Sequence, residues 1–283
     1  MTATRKAYRA AILHSIADPA EVGLEASHEY YEDGLLVVDD GRIKPDLVAN
    51  GDSLLSPIAQ GTDWYVWSSG TSMSSPNAAG TAALVIQEYG NRFPGQAMRS
   101  STLRGLLIHT ADDLGTTGPD YRYGWGLVNG LAAAEQIRAD ADQPLQARIE
   151  ESFVTSTENV LTREFLWDGV SPIVATLCWT DPPAGPAGDD SRAPTLVNNL
   201  DLKIVGPDGS EHLPWKMPFV GTWTTASLAE PAGRGLNDTD NVEQVRIASP
   251  PAPGRYRCVI GFRGVLQDGR QDFSLLVSGS TNP

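Results

Sequence analysis

The sequence has little of what several protein classes require. Only two cysteines occur in 283 residues, which excludes a disulfide-stapled scaffold and a zinc finger. The 21 lysines and arginines are outnumbered by 35 aspartates and glutamates, and the formal net charge of −14 argues against binding nucleic-acid phosphates or an anionic membrane. No uncharged run is apolar enough for a transmembrane helix. The first apolar stretch is interrupted by Arg9, His14 and Asp18, so no signal peptide is predicted.

The chain does have enough apolar sequence, 41%, to bury real cores, and its length favours about two domains. Residues 1–143 are predicted to be α/β, and residues 144–283 are predicted to be all-β, with the boundary at Gln143-Pro144. Apolar periodicity predicts helices over residues 72–89, 97–111 and 130–139. Short Val-, Ile- and Leu-rich runs between turn residues are typical of a β-sandwich or jelly roll. The clearest predicted strands of this half are residues 172–179, 200–205, 241–247, 255–262 and 272–277.

The most informative stretch is Gly70-Thr-Ser-Met-Ser-Ser-Pro76. Residues 64–69 are predicted to form a strand, Gly70 allows a sharp turn, and Ser72 falls in the first turn of the helix that follows. A hydroxyl there lies at the positive end of the helix dipole, and free N–H groups can hold a developing oxyanion. On the residues alone, a second interpretation stays open, in which Ser72 only caps the helix.

The string from Gly70 to Pro76 resembles the nucleophile motif of the subtilisin-like serine peptidases (subtilases, peptidase family S8). Residues 41–51, Gly-Arg-Ile-Lys-Pro-Asp-Leu-Val-Ala-Asn-Gly, resemble the strand and turn before the nucleophile strand, with Asn50 where the family usually has proline. Residues 123–129 resemble the segment that closes the catalytic domain. The resemblance implies a parallel-sheet α/β domain in which Ser72 attacks a polypeptide substrate and forms an acyl-enzyme.

Two partners of that nucleophile are missing from the sequence. Subtilases use Asp, His and Ser in that chain order. His14 and His28 do not stand in a His-Gly-Thr-His type of segment, and no aspartate before Ser72 has the Asp-Ser/Thr-Gly setting. The family's oxyanion-hole asparagine also has no counterpart. We therefore expect a truncated, C-terminal part of a subtilase domain that is inactive alone. Either a separate N-terminal segment completes the fold, or the chain is a truncated or mis-translated reading frame.

The helix after Ser72 carries small and apolar residues on all sides, so we expect it in the centre of its domain. His109 is predicted to be a partly buried helix residue rather than a replacement base. The alternative to an enzyme is a non-catalytic remnant in which the β-sandwich acts as a binding or stabilising module.

The second half resembles the β-sandwich that follows the catalytic domain in the oxidation-resistant alkaline subtilases, through segments near residues 179–182, 196–204 and 240–245. Members of that branch bind calcium there, and Ca²⁺ takes carboxylate, amide and carbonyl oxygens. The resemblance implies a structural calcium site, for which we name Asp181, Asn199, Asp201, Asp240 and Asn241. The same residue types also form turns and solvated edges, so that alternative stays open.

Two further expectations concern the cysteines and the location of the protein. Cys178 and Cys258 both fall in predicted strands, where they either bridge the sandwich or pack as small apolar residues. Subtilases are extracellular or belong to the cell envelope, whereas the location of this chain itself is not predicted.

Overall fold

The computed structural model describes residues 29–32, 35–38, 40–142, 148–186, 193–218 and 230–281. The predicted domain boundary at Gln143-Pro144 lies outside these residues, as do His14 and His28. Two antiparallel hairpins come first, and three helices follow them. These elements are β1 (Glu29–Glu32), β2 (Leu35–Val38), β3 (Leu54–Pro57), β4 (Tyr65–Ser68), α1 (Thr71–Arg92), α2 (Ser100–His109) and α3 (Gly130–Asp142).

The three helices confirm the periodicity predictions to within three residues at each end. Asn129 starts α3, because its Oδ1 accepts the Ala132 N–H at 2.9 Å and satisfies one of the free donors of the first turn. None of the described helices is long and apolar enough to cross a membrane.

The expected parallel sheet is barely represented in the described residues. Its trace is one parallel bridge, from Val48 to Leu127, while β3 and β4 pair with each other as an antiparallel hairpin. A parallel pair joins strands far apart in sequence. The described ranges supply one such crossing, in which the Val48 N–H donates to Gly126 O and the Val128 N–H donates to Val48 O. The mixed helix and sheet content is consistent with the α/β prediction.

The rest of the described chain forms two antiparallel sheets that face each other, and we call residues 149–281 the two-sheet unit. One sheet has the order β12-β7-β14-β5 and the other β15-β6-β13-β8-β9, with a small β10–β11 pair beside them. The strands are β5 (Ile149–Thr155), β6 (Leu161–Trp167), β7 (Ile173–Trp179), β8 (Asn199–Val205), β9 (Glu211–His212), β10 (Trp215–Lys216), β11 (Gly233–Arg234), β12 (Val242–Ile247), β13 (Arg255–Arg263), β14 (Arg270–Ser278) and β15 (Ser280–Thr281).

Five of these strands confirm the predicted runs within two residues, whereas β5 and β6 were not singled out from the sequence. The apolar core lies between the sheets. Along β7, Ile173, Ala175, Leu177 and Trp179 point into it, because side chains alternate across a strand.

The opposite face of the four-stranded sheet is covered by α2. Gly105 permits this close approach, since a Cβ there would lie 2.8 Å from Leu276 Cδ1 and 3.0 Å from Cys178 Cβ. Polar side chains also meet across the contact, for example Ser101 Oγ and Ser274 Oγ at 2.8 Å. Every residue of β7 is consequently buried, on both faces.

Candidate active site

Ser72 lies where the sequence places it, in the first turn of α1 directly after a sharp bend. Gly70 has φ +149° and ψ 171°, a backbone conformation that is costly for a residue with a Cβ. The carbonyl of Gly70 accepts the N–H groups of Met73 at 3.0 Å and Ser74 at 3.2 Å. The N–H of Ser72 therefore precedes the hydrogen-bonded part of the helix, as first-turn donors do. Ser72 is exposed, and its hydroxyl has no hydrogen-bond partner among the described residues.

Three contacts fix the bend that presents Ser72. The Gly70 N–H donates to Gly51 O at 2.7 Å, and the Ser74 hydroxyl donates to Ala49 O at 2.9 Å. On the hairpin side, Ser69 Oγ donates to Asp52 Oδ1 at 2.5 Å. Sequence reasoning missed Ser74 and Ser69, because neither partner could be identified before the chain was folded. The backbone around Ser72 is thus held from two sides while its hydroxyl stays free.

Gly124, which follows Ser72 in the sequence, allows a close contact between two backbone segments. Gly124 has φ +60°, and a Cβ there would lie 1.9 Å from Pro45 O. Only glycine therefore lets residues 123–126 lie against residues 45–48, where Trp125 N–H donates to Asp46 O at 3.0 Å. Two of the segments quoted for the resemblance are in direct backbone contact.

The described residues bring no histidine to Ser72 by a recorded hydrogen bond. His109 Nδ1 lies 2.9 Å from Thr176 Oγ1 on β7, and His212 Nε2 lies 3.3 Å from Ser210 Oγ. Burial, with a smaller contribution from the charge of Arg246, lowers the pKa of His109 to about 4. His109 is a neutral, partly buried residue at the end of α2, as predicted.

Exposed apolar side chains occur on the hairpin before Ser72 and on the helix that carries it. On the hairpin, Leu55 and Trp67 are cross-strand neighbours that are 53% and 66% exposed. On α1, only Val85 and Tyr89 are buried, and Leu84 is 67% exposed. The described residues thus do not enclose α1, contrary to the expectation of a central helix. Among the described elements, α1 packs mainly against α3 and less against α2.

Three of the five residues named for calcium accept a hydrogen bond from an arginine side chain. Asp201 accepts Arg263 Nε at 2.8 Å, and Asn199 Oδ1 accepts Arg263 at 3.3 Å. Asn241 Oδ1 accepts the guanidinium of Arg104, on α2.

The remaining two carboxylates accept backbone N–H groups. Asp181 binds the N–H groups of Val197 at 2.7 Å and Asn198 at 2.8 Å. Asp240 accepts the Ile43 N–H at 2.9 Å. Within the described ranges, no three Asp, Glu, His or Cys side chains are close enough to hold a metal ion. Calcium binding stays a prediction.

Cys178 and Cys258 are both buried, free thiols. Cys178 faces α2, whereas Cys258 belongs to the core between the sheets. Of the two alternatives drawn from the sequence, the structure therefore has the packing role. Burial raises the pKa of Cys178 to about 11 and that of Cys258 to about 12, so neither is a reactive thiolate at neutral pH.

Comparison with known proteins agrees with this geometry. Residues 27–126 match the model of the Subtilase family, Peptidase_S8. Subtilisin DY of Bacillus licheniformis is 37% identical over 90 residues, which cover 32% of this chain and 29% of that protein. The "Serine protease/ABC transporter B family protein tagA" of Dictyostelium discoideum is 29% identical over 279 residues, covering 88% of this chain and 15% of that protein.

The chain thus spans less than a third of either relative. The solved structure of a lanthipeptide protease is 33% identical in sequence over 30% of this chain and 28% of that chain. Its TM-score of 0.28 is too low to support a statement about the fold. The match over residues 27–126 confirms the resemblance of the first half to the subtilisin-like serine peptidases, whereas the resemblance of the second half to the sandwich of the alkaline subtilases stays a prediction.

Proposed function

Because residues 27–126 are a subtilase segment, we propose that this chain supplies the nucleophile of a serine endopeptidase, with Ser72 as the attacking residue. The observation that supports this most directly is the Gly70 bend. It leaves the Ser72 hydroxyl exposed at the start of a 22-residue helix, with its own N–H unused by the helix ladder. The substrate class is polypeptide, as in the serine proteases the chain resembles.

In the proposed reaction Ser72 Oγ attacks the scissile carbonyl carbon, and the hydroxyl proton passes to a base. The carbonyl oxygen becomes an oxyanion, to which the Ser72 N–H donates at the positive end of α1. Collapse of the tetrahedral intermediate expels the amine with a proton from the base and leaves an acyl-enzyme on Ser72. Water then hydrolyses that ester and regenerates the hydroxyl.

The base is the part that the described residues do not provide. In subtilisin, removing the histidine alone lowers turnover about 10⁶-fold, a published example rather than a value for this chain. We therefore propose that the chain is inactive alone, and that a polypeptide bearing the histidine and aspartate covers the exposed apolar surface of β3, β4 and α1. Burying side chains such as Trp67 and Leu84 would be the driving force, at about 25 cal/mol per Å² of apolar area.

A fluorophosphonate probe tests both statements. The purified chain should label no faster than a simple alcohol. Co-expression with the polypeptide that supplies the histidine and aspartate should produce labelling that Ser72→Ala abolishes. Ser75→Ala is the matched control, because Ser75 is also exposed in the first turn, and it should retain the label.

Two results would contradict the proposal. Fast labelling of Ser72 in the chain alone would show that no outside base is needed. Labelling of the co-expressed pair that survives Ser72→Ala would show that another residue is the nucleophile. The alternative, a non-catalytic remnant with a binding or stabilising sandwich, predicts no labelling in either preparation. The jelly-roll assignment of the two-sheet unit stays part of this proposal.

A further inference from the structure

Residues 40–51 connect the two-sheet unit to the bend that presents Ser72, and we call them the connecting segment. At its first end, Asp240 of the two-sheet unit accepts the Ile43 N–H at 2.9 Å, and Thr195 Oγ1 donates to Asp40 Oδ2 at 3.0 Å. Tyr121 OH also donates to Gly41 O at 2.8 Å. This end is therefore anchored to residues more than 75 positions away in sequence.

At its other end, the connecting segment holds the nucleophile turn. Gly51 O accepts the Gly70 N–H at 2.7 Å, two residues before Ser72, and Ala49 O accepts Ser74 Oγ at 2.9 Å, two residues after it. A displacement of residues 49–51 would consequently move the backbone on both sides of Ser72.

Between its ends the segment is held along its length. Asp46 Oδ1 accepts Arg104 Nη2 at 2.8 Å, and the same guanidinium reaches Asn241, the neighbour of Asp240. Burial would raise the pKa of Asp46, but Arg104 and Lys44 outweigh it and lower that pKa, so the pair is ionised. Val48 is also hydrogen-bonded through its N–H to Gly126 O and through its carbonyl to Val128 N–H. The connecting segment is therefore fixed at its middle as well as at both ends.

Asp240 is a buried carboxyl group at the first end of the connecting segment. It is 3% exposed, and besides Ile43 it accepts Asn237 Nδ2 at 3.0 Å. A buried acceptor of this kind fixes the position of its donors, because an unmade buried hydrogen bond is costly.

We propose that Asp240 is a positioning residue for Ser72, acting through the connecting segment. The two-sheet unit thereby sets the geometry of the nucleophile turn. The proposal rests on the proposed function only in giving that turn a catalytic use. Its structural content, a mechanical link from Asp240 to residues 70–74, stands separately.

Amide hydrogen exchange in the intact 283-residue chain tests the link. Asp240→Ala should speed exchange about ten- to a hundredfold in peptides covering residues 46–51 and 70–76, the range expected for losing a buried hydrogen bond to a charged acceptor. Asp240→Asn keeps an oxygen for Ile43 and should restore much of the protection. It also supplies a folded variant if the alanine protein does not fold.

The matched control is Ser101→Ala, which removes a contact between α2 and β14 that does not involve the connecting segment. It should leave exchange at residues 70–76 unchanged even if it lowers the melting temperature. The proposal is wrong if Asp240→Ala leaves residues 70–76 protected, or if both variants speed their exchange in proportion to lost stability. The readout needs no catalysis, so it stands even if Ser72 never labels. In a labelling-competent pair, Asp240→Ala should lower kcat and leave KM unchanged, and Asp240→Asn should restore much of kcat.

Discussion

Glu243 offers the sharpest test of the physical reasoning, because it is a carboxyl group inside the apolar core. Its side chain extends from β12 across to the opposite sheet, where Oε2 accepts the Leu202 N–H of β8 at 2.5 Å. The residue is fully buried, and Oε1 has no partner among the described residues. Burial, outweighing that hydrogen bond, raises the pKa of Glu243 well above its ordinary value of 4.5. Glu243→Gln should therefore stabilise the protein at neutral pH.

The direction follows from proton binding. The folded protein keeps the Glu243 proton at pH values where the unfolded chain, with a pKa near 4.5, has released it. Stability contributed by the neutral carboxyl is thus complete below pH 4.5 and is lost as the pH rises toward the folded pKa, by at most about 1.4 kcal/mol per pH unit. Glutamine is neutral throughout and keeps an oxygen for Leu202. The variant should gain about 1–3 kcal/mol over the parent at pH 7 and nothing at pH 4.5, a range set by the cost of an unsatisfied buried group.

Urea denaturation followed by tryptophan fluorescence at several pH values from 4.5 to 7.5 measures this difference. Glu243→Ala should instead lose about 1–3 kcal/mol at every pH, since the Leu202 N–H is left without an acceptor. Glu211→Gln is the control for removing an acid, because Glu211 is exposed and pairs with Lys203, and it should show no such pH trend. If Glu243→Gln is less stable than the parent at pH 7, or if its advantage does not grow with pH, the conclusion that Glu243 is a neutral buried carboxyl group is wrong.

The remaining predictions concern the packing of the helices and the calcium hypothesis. Burial lowers the pKa of His109 from 6.5 to about 4, so between these pH values the unfolded chain binds a proton that the folded protein does not, and stability falls with the pH. His109→Gln should remove this loss of stability, which is up to about 3 kcal/mol. The melting temperature measured across this pH range tests it. Gly105→Val should cost about 1–3 kcal/mol of unfolding free energy, because its Cβ would strike Leu276 and Cys178, whereas Gly80→Ala on α1, with nothing within 4 Å, should stabilise by about 0.5–1 kcal/mol. The calcium hypothesis predicts a calcium-dependent rise in melting temperature that Asp201→Ala abolishes; no rise removes it.

Local features of the molecule followed from the sequence. The three helices and the strands β7, β8, β12, β13 and β14 are marked by periodicity and by turn residues at their ends, which are signals within a few positions of each other. Ser72 was placed correctly for the same reason, since a glycine bend and a helix start adjoin it. The strands β5 and β6 were missed because two adjacent charged residues interrupt each of them, Glu150-Glu151 in β5 and Arg163-Glu164 in β6.

Pairings between distant residues could not be predicted. The sequence named Asp240 as a calcium ligand, and it did not show that Asp240 accepts the N–H of Ile43, 197 positions earlier. A carboxylate that accepts a buried N–H and one that ligates a cation look alike in sequence, because both stand at strand ends among other polar residues. Only the packing of the two-sheet unit against residues 40–43 shows the hydrogen bond that Asp240 makes.

The contact with α2 also bears on the alternative in which the two-sheet unit acts as a separate module. A free sheet face in such a module would be solvated, as antiparallel sheets allow. The outer face of β7 instead buries Thr176 and Cys178 completely, with Gly105 of α2 pressed against the cysteine. Removing residues 40–142 would expose that face along with Leu276, and the buried thiol would meet solvent. The outer face of this sheet is therefore a packing surface for α2. This favours a role in which the two-sheet unit supports residues 40–142, over one in which it binds a partner through this sheet.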